Sequence, residues 1–554
     1  NMEVISLYNG QKSAIFQPAK DYSSASAIYM QTRKPLFKGE KKNNLNIGVK
    51  GGSFSTINPS LLWEHRFNER ISSSISTEYM YTSGRYKFTY AKKDGYDTTA
   101  VRQNGDVRML RLENAFFGKI PKGEWKAKAY LYNSERGYPG AAVREEPGKF
   151  RHQDRQWDTN VFIQGSFQNY FTPWYSLLAN GKYAYDYLHY LSDPRLDVTT
   201  MYVDNHYRQQ EIYASAAHLF TIYPWWSMSL SNDFQWNTLR ADLIDFVYPT
   251  RNTILTSAAT SFDFNRLMLQ ASLLYTHVDD NTRTKGANAG TKNKYTPSVI
   301  ATWQPLTKLP LNVRAFYKKV FRMPTLNDLY YTFIGNKDLK PEYTTQYDVG
   351  ITFSHTWNNH WLKSLDLQID GYYNEVDDKI IAMPTSNQFR WTMINLGHVE
   401  IRGLDAAIRG EWGFGKVELS TLFNYTYQKA QDFTDPTSEW YGGQIPYIPW
   451  HGGSIILNGS YQTWSCNYSF IYTGERYEAV ANIPENYAQP WYTHDFSLSK
   501  TFQWGKTGIR VTAEINNIFR QLFFQIPVTN FTIIILLIEI IIRVFRRNDI
   551  HQGK

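Results

Sequence analysis

The stretch Val417-Glu418-Leu419-Ser420-Thr421-Leu422-Phe423-Asn424-Tyr425-Thr426-Tyr427-Gln428 alternates along its length. Val417, Leu419, Thr421, Phe423, Tyr425 and Tyr427 fall on one face, and Glu418, Ser420, Asn424 and Gln428 on the other, with Leu422 the exception. Successive side chains of a strand point to opposite faces, so a period of two marks a strand with one apolar and one polar side. Residues 509–516 repeat the pattern, with Ile509, Val511, Ala513 and Ile515 set against Arg510, Thr512, Glu514 and Asn516. In 365–373, Leu367 and Ile369 oppose Asp366, Gln368 and Asp370. These patterns give an all-β chain; a soluble sandwich would alternate too, so the connections decide the environment.

Short and long links take turns. Tight ones fall at Asn68-Glu69-Arg70, 118–124, Phe264-Asn265, 410–415 and 503–506. Between them lie long polar segments at 82–106, 134–158, 187–210, 279–293, 320–342, 376–395, 429–447 and 475–492. Short turns on one rim and long loops on the other characterise outer-membrane barrels, with the long loops outside and the short turns in the periplasm. Counting from Leu45 predicts a transmembrane antiparallel β-barrel of about 22 strands, an even number within the range of such barrels. Strands of about ten residues would cross the hydrocarbon layer at a tilt.

Composition agrees. The 554 residues are polar on average, yet 16% are aromatic, with 17 Trp, 41 Tyr and 32 Phe. A wall with one face in lipid and one on a polar lumen averages to this, and Tyr and Trp favour the water–lipid boundary. Trp63, Trp125, Trp412, Trp450 and Trp504 read as girdle residues. The net charge of +9 is scattered, which reads as a solvated surface and not as a nucleic-acid patch. The single cysteine, Cys466, excludes an internal disulfide and a CxxC metal knuckle. No phosphate loop, nucleophile elbow or HExxH is present, so neither an enzyme nor a cofactor is expected. His355 and His360, five positions apart in strand context, make no metal site.

Two stretches break the pattern. Residues 1–44 are too irregular for wall strands, which places the barrel at 45–545 and a polar tail at 546–554. Residues 531–545 are almost continuously apolar, short of the about 20 residues a spanning helix needs. As a strand they would turn isoleucines to the lumen. Such a strand is expected to close the barrel but to assemble poorly, and a shifted reading frame would explain it. The opening at Asn1 carries no basic and apolar leader.

The string Phe321-Arg322-Met323-Pro324-Thr325-Leu326-Asn327-Asp328-Leu329-Tyr330-Tyr331, followed by Gly335-Asn336 and Leu339-Lys340-Pro341-Glu342, resembles a motif of TonB-dependent outer-membrane receptors. Asn395-Leu396-Gly397, Ile401-Arg402-Gly403-Leu404-Asp405 and Asn516-Asn517-Ile518-Phe519 extend the resemblance. Glu135-Arg136-Gly137-Tyr138-Pro139-Gly140 looks like a loop motif of its Bacteroides-type branch. Residues 4–10 and 23–32 resemble the last part of the family's plug, so 1–44 reads as the C-terminal fragment of a plug domain. The resemblance implies import of a scarce solute (a metal chelate, a vitamin such as cobalamin, or a glycan) driven through the TonB complex. A surface lipoprotein is a further possible partner, and no nucleic acid is expected. Most of the plug and the coupling box that binds TonB are not found in the chain as given, which leaves a passive pore as the alternative.

Pro324, Thr325, Leu339, Pro341, Glu342, Gly403 and Asp405 are expected to act structurally: proline fixes φ, and short polar side chains bond nearby backbone. Substrate contact is assigned to outer-loop residues Tyr90, Tyr96, Arg136, Tyr138, Arg322, Asn327, Asp328, Tyr330, Tyr331, Trp440 and Tyr441. Aromatic rings with hydrogen-bonding tips suit sugars and chelates. Lys285, Lys292 and Lys294 would suit an anion.

Overall fold

The computed structural model describes residues 2–10, 13–37, 39–91, 97–139, 154–193, 202–284, 289–331, 334–358, 361–384, 391–504, 507–519 and 533–542. Among these, 22 long strands pair antiparallel in chain order and close on themselves, with the two-residue strand Gly443–Gln444 as an extra pairing at one rim. Closure leaves no sheet edge, which lipid would punish at several kcal/mol for each unpaired backbone group.

The alternation sets the two faces as expected. Outward, Phe423, Leu498, Val349 and Ile351 are 40–59% exposed to what is lipid in the membrane. Inward, Asn424 donates to Ser454 Oγ at 3.1 Å, and Ser499 and Thr512 hydroxyls meet at 2.8 Å. Charges inside are paired: Arg314 binds Asp370 at 3.0 Å and Asp348 at 3.5 Å. Gly403 lies opposite Tyr372 in the ladder, and a Cβ there would sit 2.2 Å from the Tyr372 ring. Gly403→Val is therefore expected to displace Tyr372 and lower the heat-denaturation midpoint, whereas Asp405→Asn beside it should alter the midpoint less.

Strand length departs from expectation. Gly123–Tyr138, Asp154–Thr172, Val203–Tyr223, Leu362–Pro384 and Trp391–Phe414 hold 16, 19, 21, 23 and 24 residues. Much of what reads as loop at 134–158, 187–210 and 376–395 is ladder: Asp154 pairs with Tyr138, and Val376 with Val399 on through Pro384 with Trp391. Backbone pairing continues wherever two strands leave lipid together, and only the side-chain pattern turns polar. The tight turns are tighter than read, with Ile120 facing Gly123 and Phe414 facing Val417.

Rings gather at the turns. Trp225 stacks within 5.6–6.3 Å of Tyr223, Trp226, Phe262 and Phe264, and Trp361 stacks on Trp412 at 5.2 Å. Trp504 is 80% exposed. These form the periplasmic girdle.

The apolar stretch closes the barrel: Ile533–Ile542 pairs with Thr507–Asn516 on one side and Asn43–Gly52 on the other. Its register sets Glu539 opposite Arg510, but also Ile535 and Leu537 opposite Glu514 and Thr512. The tail at 546–554 lies outside the described residues.

Residues before the wall pack inside it. Met2–Asn9 and Ser26–Thr32 form a hairpin. The segment between them is held by the wall: Ala19 and Lys20 backbone N–H groups donate to the two Asp233 oxygens at 3.0 and 2.8 Å, and Ser231 Oγ donates to Gln17 O at 2.8 Å. Lys318 Nζ donates to Ser24 O at 2.7 Å and Gly10 O at 3.3 Å. Ile15, Ala19 and Tyr22 bury against Leu255, Ala259 and Leu274, apolar residues on the luminal face.

Candidate functional site at the outer mouth

After the strand Leu311–Arg322 the chain leaves the wall. Pro324 is fully buried, and its carbonyl accepts from Arg251 Nη1 at 2.6 Å. Arg251 is itself locked to Asp280 by two contacts of 2.6 and 2.7 Å. Thr325 then caps the single turn Leu326–Tyr330: its hydroxyl accepts from Asp328 N at 3.1 Å, and Asp328 Oδ2 accepts from Thr325 N at 2.8 Å. This capping box satisfies donors that the helix start would leave open. Leu326 buries beside Tyr207, Leu239 and Ala241, and Leu329 beside Leu339 and Ile380. Asn336 donates to Met393 O at 2.9 Å, Lys340 N donates to Asn395 Oδ1 at 2.9 Å, and Glu342 Oε2 accepts from Ile380 N at 3.0 Å. Arg322 sits 3.8 Å from Asp328 and 3.6 Å from Glu342. Most polar groups of the string thus bond the rim itself, while the Asn327 and Arg322 side chains are exposed.

A second set of residues converges on the lumen. Arg136 and Ser134 reach Asp158 across the ladder, and the shielded Arg136 Nε has no hydrogen-bond partner among the described residues. Tyr138 donates to Gln156 at 2.8 Å and meets the Tyr190 ring edge-on at 6.3 Å. Tyr331, carried in by the capped turn, stacks on Tyr207 at 4.4 Å. Burial raises the Tyr331 hydroxyl above its ordinary range, with Tyr207, Tyr138 and Asp158 adding to the effect. At the rim, two 3.0 Å contacts from Arg155 hold the Asp106 carboxyl below the usual range.

Of the residues assigned to substrate contact, Arg136, Tyr138 and Tyr331 come together. Tyr330 packs into the rim, and Trp440 and Tyr441 belong to another loop, where Tyr441 meets Phe433 edge-on at 5.2 Å. Tyr90 lies on the outer-loop strand Lys87–Ala91, and Tyr96 lies outside the described residues. Of the three lysines, Lys285 lies outside them as well, as does His360, and Lys294 Nζ sits over the Tyr343 ring at 5.0 Å. Tyr190, Tyr207 and Asp158 were missed; they lie on strands whose reach into the outer mouth only the pairing reveals.

Between the docked segment and the wall is a cavity of about 400 Å3 lined by Lys20, Asp21, Lys126, Lys128, Lys182 and Glu211. Lys182 pairs with Glu211 at 2.9 Å, and Lys128 with Glu113 at 3.0 Å.

The family described as "TonB dependent receptor-like, beta-barrel" matches residues 43–518. The chain belongs to that family. Family members are outer-membrane β-barrels, so the receptor sits in the outer membrane, and among the described residues no helix is long and apolar enough to cross it. The vitamin B12 transporter BtuB of Photobacterium profundum is 30% identical over 190 residues, 33% of this receptor and 28% of that protein. BtuB of Vibrio vulnificus is 31% identical over 112 residues, 20% and 17% of the two chains. The receptor thus aligns with less than a third of these curated relatives. The FrpB iron transporter of Neisseria meningitidis (F3-3 variant) superposes with a TM-score of 0.72 at 12% identity, over 97% of this chain and 87% of that one. The unliganded ferric citrate transporter FecA gives 0.71 at 11% identity, over 98% and 84%. These likenesses establish the fold. Family and structural neighbours are transporters and receptors and not enzymes.

Proposed function

We propose that the receptor imports a scarce solute across the outer membrane, bound first at the Arg136–Tyr138–Tyr331 mouth and released inward by TonB-driven movement of the segment docked in the lumen. The observation that carries this reading is the dock: Asp233, Ser231 and Lys318 hold the segment on the luminal wall by hydrogen bonds that a pull could break one after another. Residues 1–44 are read as the end of a plug domain, 45–545 as the barrel, and the Glu135–Gly140 string supports a Bacteroides-type receptor with a surface lipoprotein as partner. The solute is a metal chelate, a vitamin of the cobalamin class, or a glycan; the local similarity to BtuB favours testing cobalamin first. A passive pore is the alternative, and the polar cavity beside the segment is what favours it.

The two readings separate in a planar bilayer. Asp233→Ala with Lys318→Met removes four hydrogen bonds that hold the segment. Under the import reading the doubly substituted chain shows higher, noisier conductance and faster proteolysis within 10–25 than the parent. Equal conductance would mean that the segment does not obstruct the lumen. At the mouth, Arg136→Ala and Tyr331→Ala are each expected to weaken solute binding about tenfold, 1.4 kcal/mol, with barrel migration unchanged.

A further inference from the structure

Outside the lumen, a cluster of metal-ligating side chains stands at the upper end of the wall. His189 and His206 are directly opposed in the pairing of Tyr175–Ser192 with Val203–Tyr223. Their rings stack at 4.0 Å with 11° between planes. His189 Nε2 is 2.7 Å from Asp204 Oδ1, and His206 Nε2 is 3.6 Å from the same oxygen. Asp242, just after the strand Trp226–Ala241, brings Oδ2 to 3.8 Å from His206 Nε2. One ligand atom each from His189, Asp204 and His206 lie within 4.8 Å of one another.

Parity puts this cluster on the outward face. Ile212 and Tyr183, on the same sides of their strands as His206 and His189, are 43% exposed, whereas Tyr207 and Ala217 are buried. His189 lies fourteen residues beyond Tyr175 at the periplasmic turn, or ~35 Å in height at about 3.3 Å per residue and about 40° of tilt, above the apolar band of about 25 Å. The cluster is therefore in the aqueous or headgroup zone, where a cation can reach it.

We propose that His189, Asp204 and His206, with Asp242 as fourth ligand, bind one divalent transition metal of the zinc class and clip three neighbouring strand ends together. Two imidazoles and two carboxylates suit the borderline zinc ion, and four protein ligands make a structural site. The surroundings are those of a ligand set. Tyr187 Oη is 2.7 Å from His206 Nδ1, so accepting that N–H would leave Nε2 as the ligand atom. Trp157 stacks on the His189 ring at 4.6 Å. Asp242 Oδ1 accepts from His206 N at 2.7 Å, which anchors the carboxylate that supplies the fourth oxygen. The two rings stack at 11°, so both must tilt for their Nε2 atoms to converge on one ion, and the Asp242 carboxylate must swing in from its 3.8 Å contact, movements open to partly exposed side chains.

The test uses the detergent-solubilised chain, stripped by chelator and titrated with zinc alone, then with cobalt alone for its visible spectrum. The expected result is a single zinc equivalent, a tetrahedral cobalt band, and a heat-denaturation midpoint that rises with zinc and falls with chelator. His206→Gln and Asp204→Asn should each weaken zinc binding at least tenfold, since loss of even an outer-shell partner costs about 10–100-fold. His451→Gln, whose ring bonds Tyr425 elsewhere on the wall, should leave binding unchanged. Parent and variants must all show compact barrel migration on a gel. No zinc binding by the folded parent overturns the proposal, and so does equal affinity in parent, His206→Gln and Asp204→Asn.

Discussion

Replacing Arg251 by methionine is expected to cost the barrel about 3–5 kcal/mol, the loss found when one partner of a buried ion pair is removed. Arg251 and Asp280 have side chains only 9% and 3% exposed, so the substitution leaves a carboxylate buried without its cation. It also strips the Pro324 carbonyl of its 2.6 Å donor, and with it the anchor of the capped turn. The expected readout is a lower temperature for conversion from compact to extended migration, together with faster proteolysis near 323–341. Replacing both partners, Arg251→Met with Asp280→Leu, should recover much of the loss, because the buried charge is then gone. An unchanged transition in the single variant would mean that this rim is held by something else.

The second large effect concerns lipid. Ala513 faces outward, opposite Leu498, and Thr512 faces inward against Ser499. Arginine at position 513 must enter hydrocarbon, at about 2–4 kcal/mol near the midplane. At position 512 it enters a polar lumen where Glu514 and Arg510 already stand on the same face. Folding into phospholipid vesicles, followed by gel migration, should give a much lower yield for Ala513→Arg than for Thr512→Arg. Equal yields would reverse the assignment of faces.

Alternation in residues such as 417–428 was enough to find the wall, its faces and its strand number, because period two is a local property of the chain. Strand ends were less legible. Nothing in the composition of 134–138 and 154–158 marks where lipid stops, and backbone pairing ignores that boundary. The motif at 321–342 was legible as a loop base, but its anchor, Arg251, lies 73 residues from Pro324. Asp233 is 214 residues from Ala19, and no spacing rule links them. His189 and His206 meet only because their hairpin's register sets them face to face. Arg136, Tyr138 and Tyr331 were chosen as polar or aromatic loop residues, and their convergence follows from a capped turn and long strands that sequence periodicity does not report.

The central claim, energised import through this barrel, is tested most directly by uptake in its own host. Cells deleted for the gene and complemented with the full gene would be given radiolabelled cyanocobalamin, ferric citrate and a labelled oligosaccharide, with TonB present or removed. The account predicts that at least one probe accumulates above its outside concentration, and that accumulation stops when TonB is lost or when Arg136→Ala is introduced. Accumulation of none of them above the outside concentration, with equilibration at the same rate whether or not TonB is present, would contradict it and leave a passive pore.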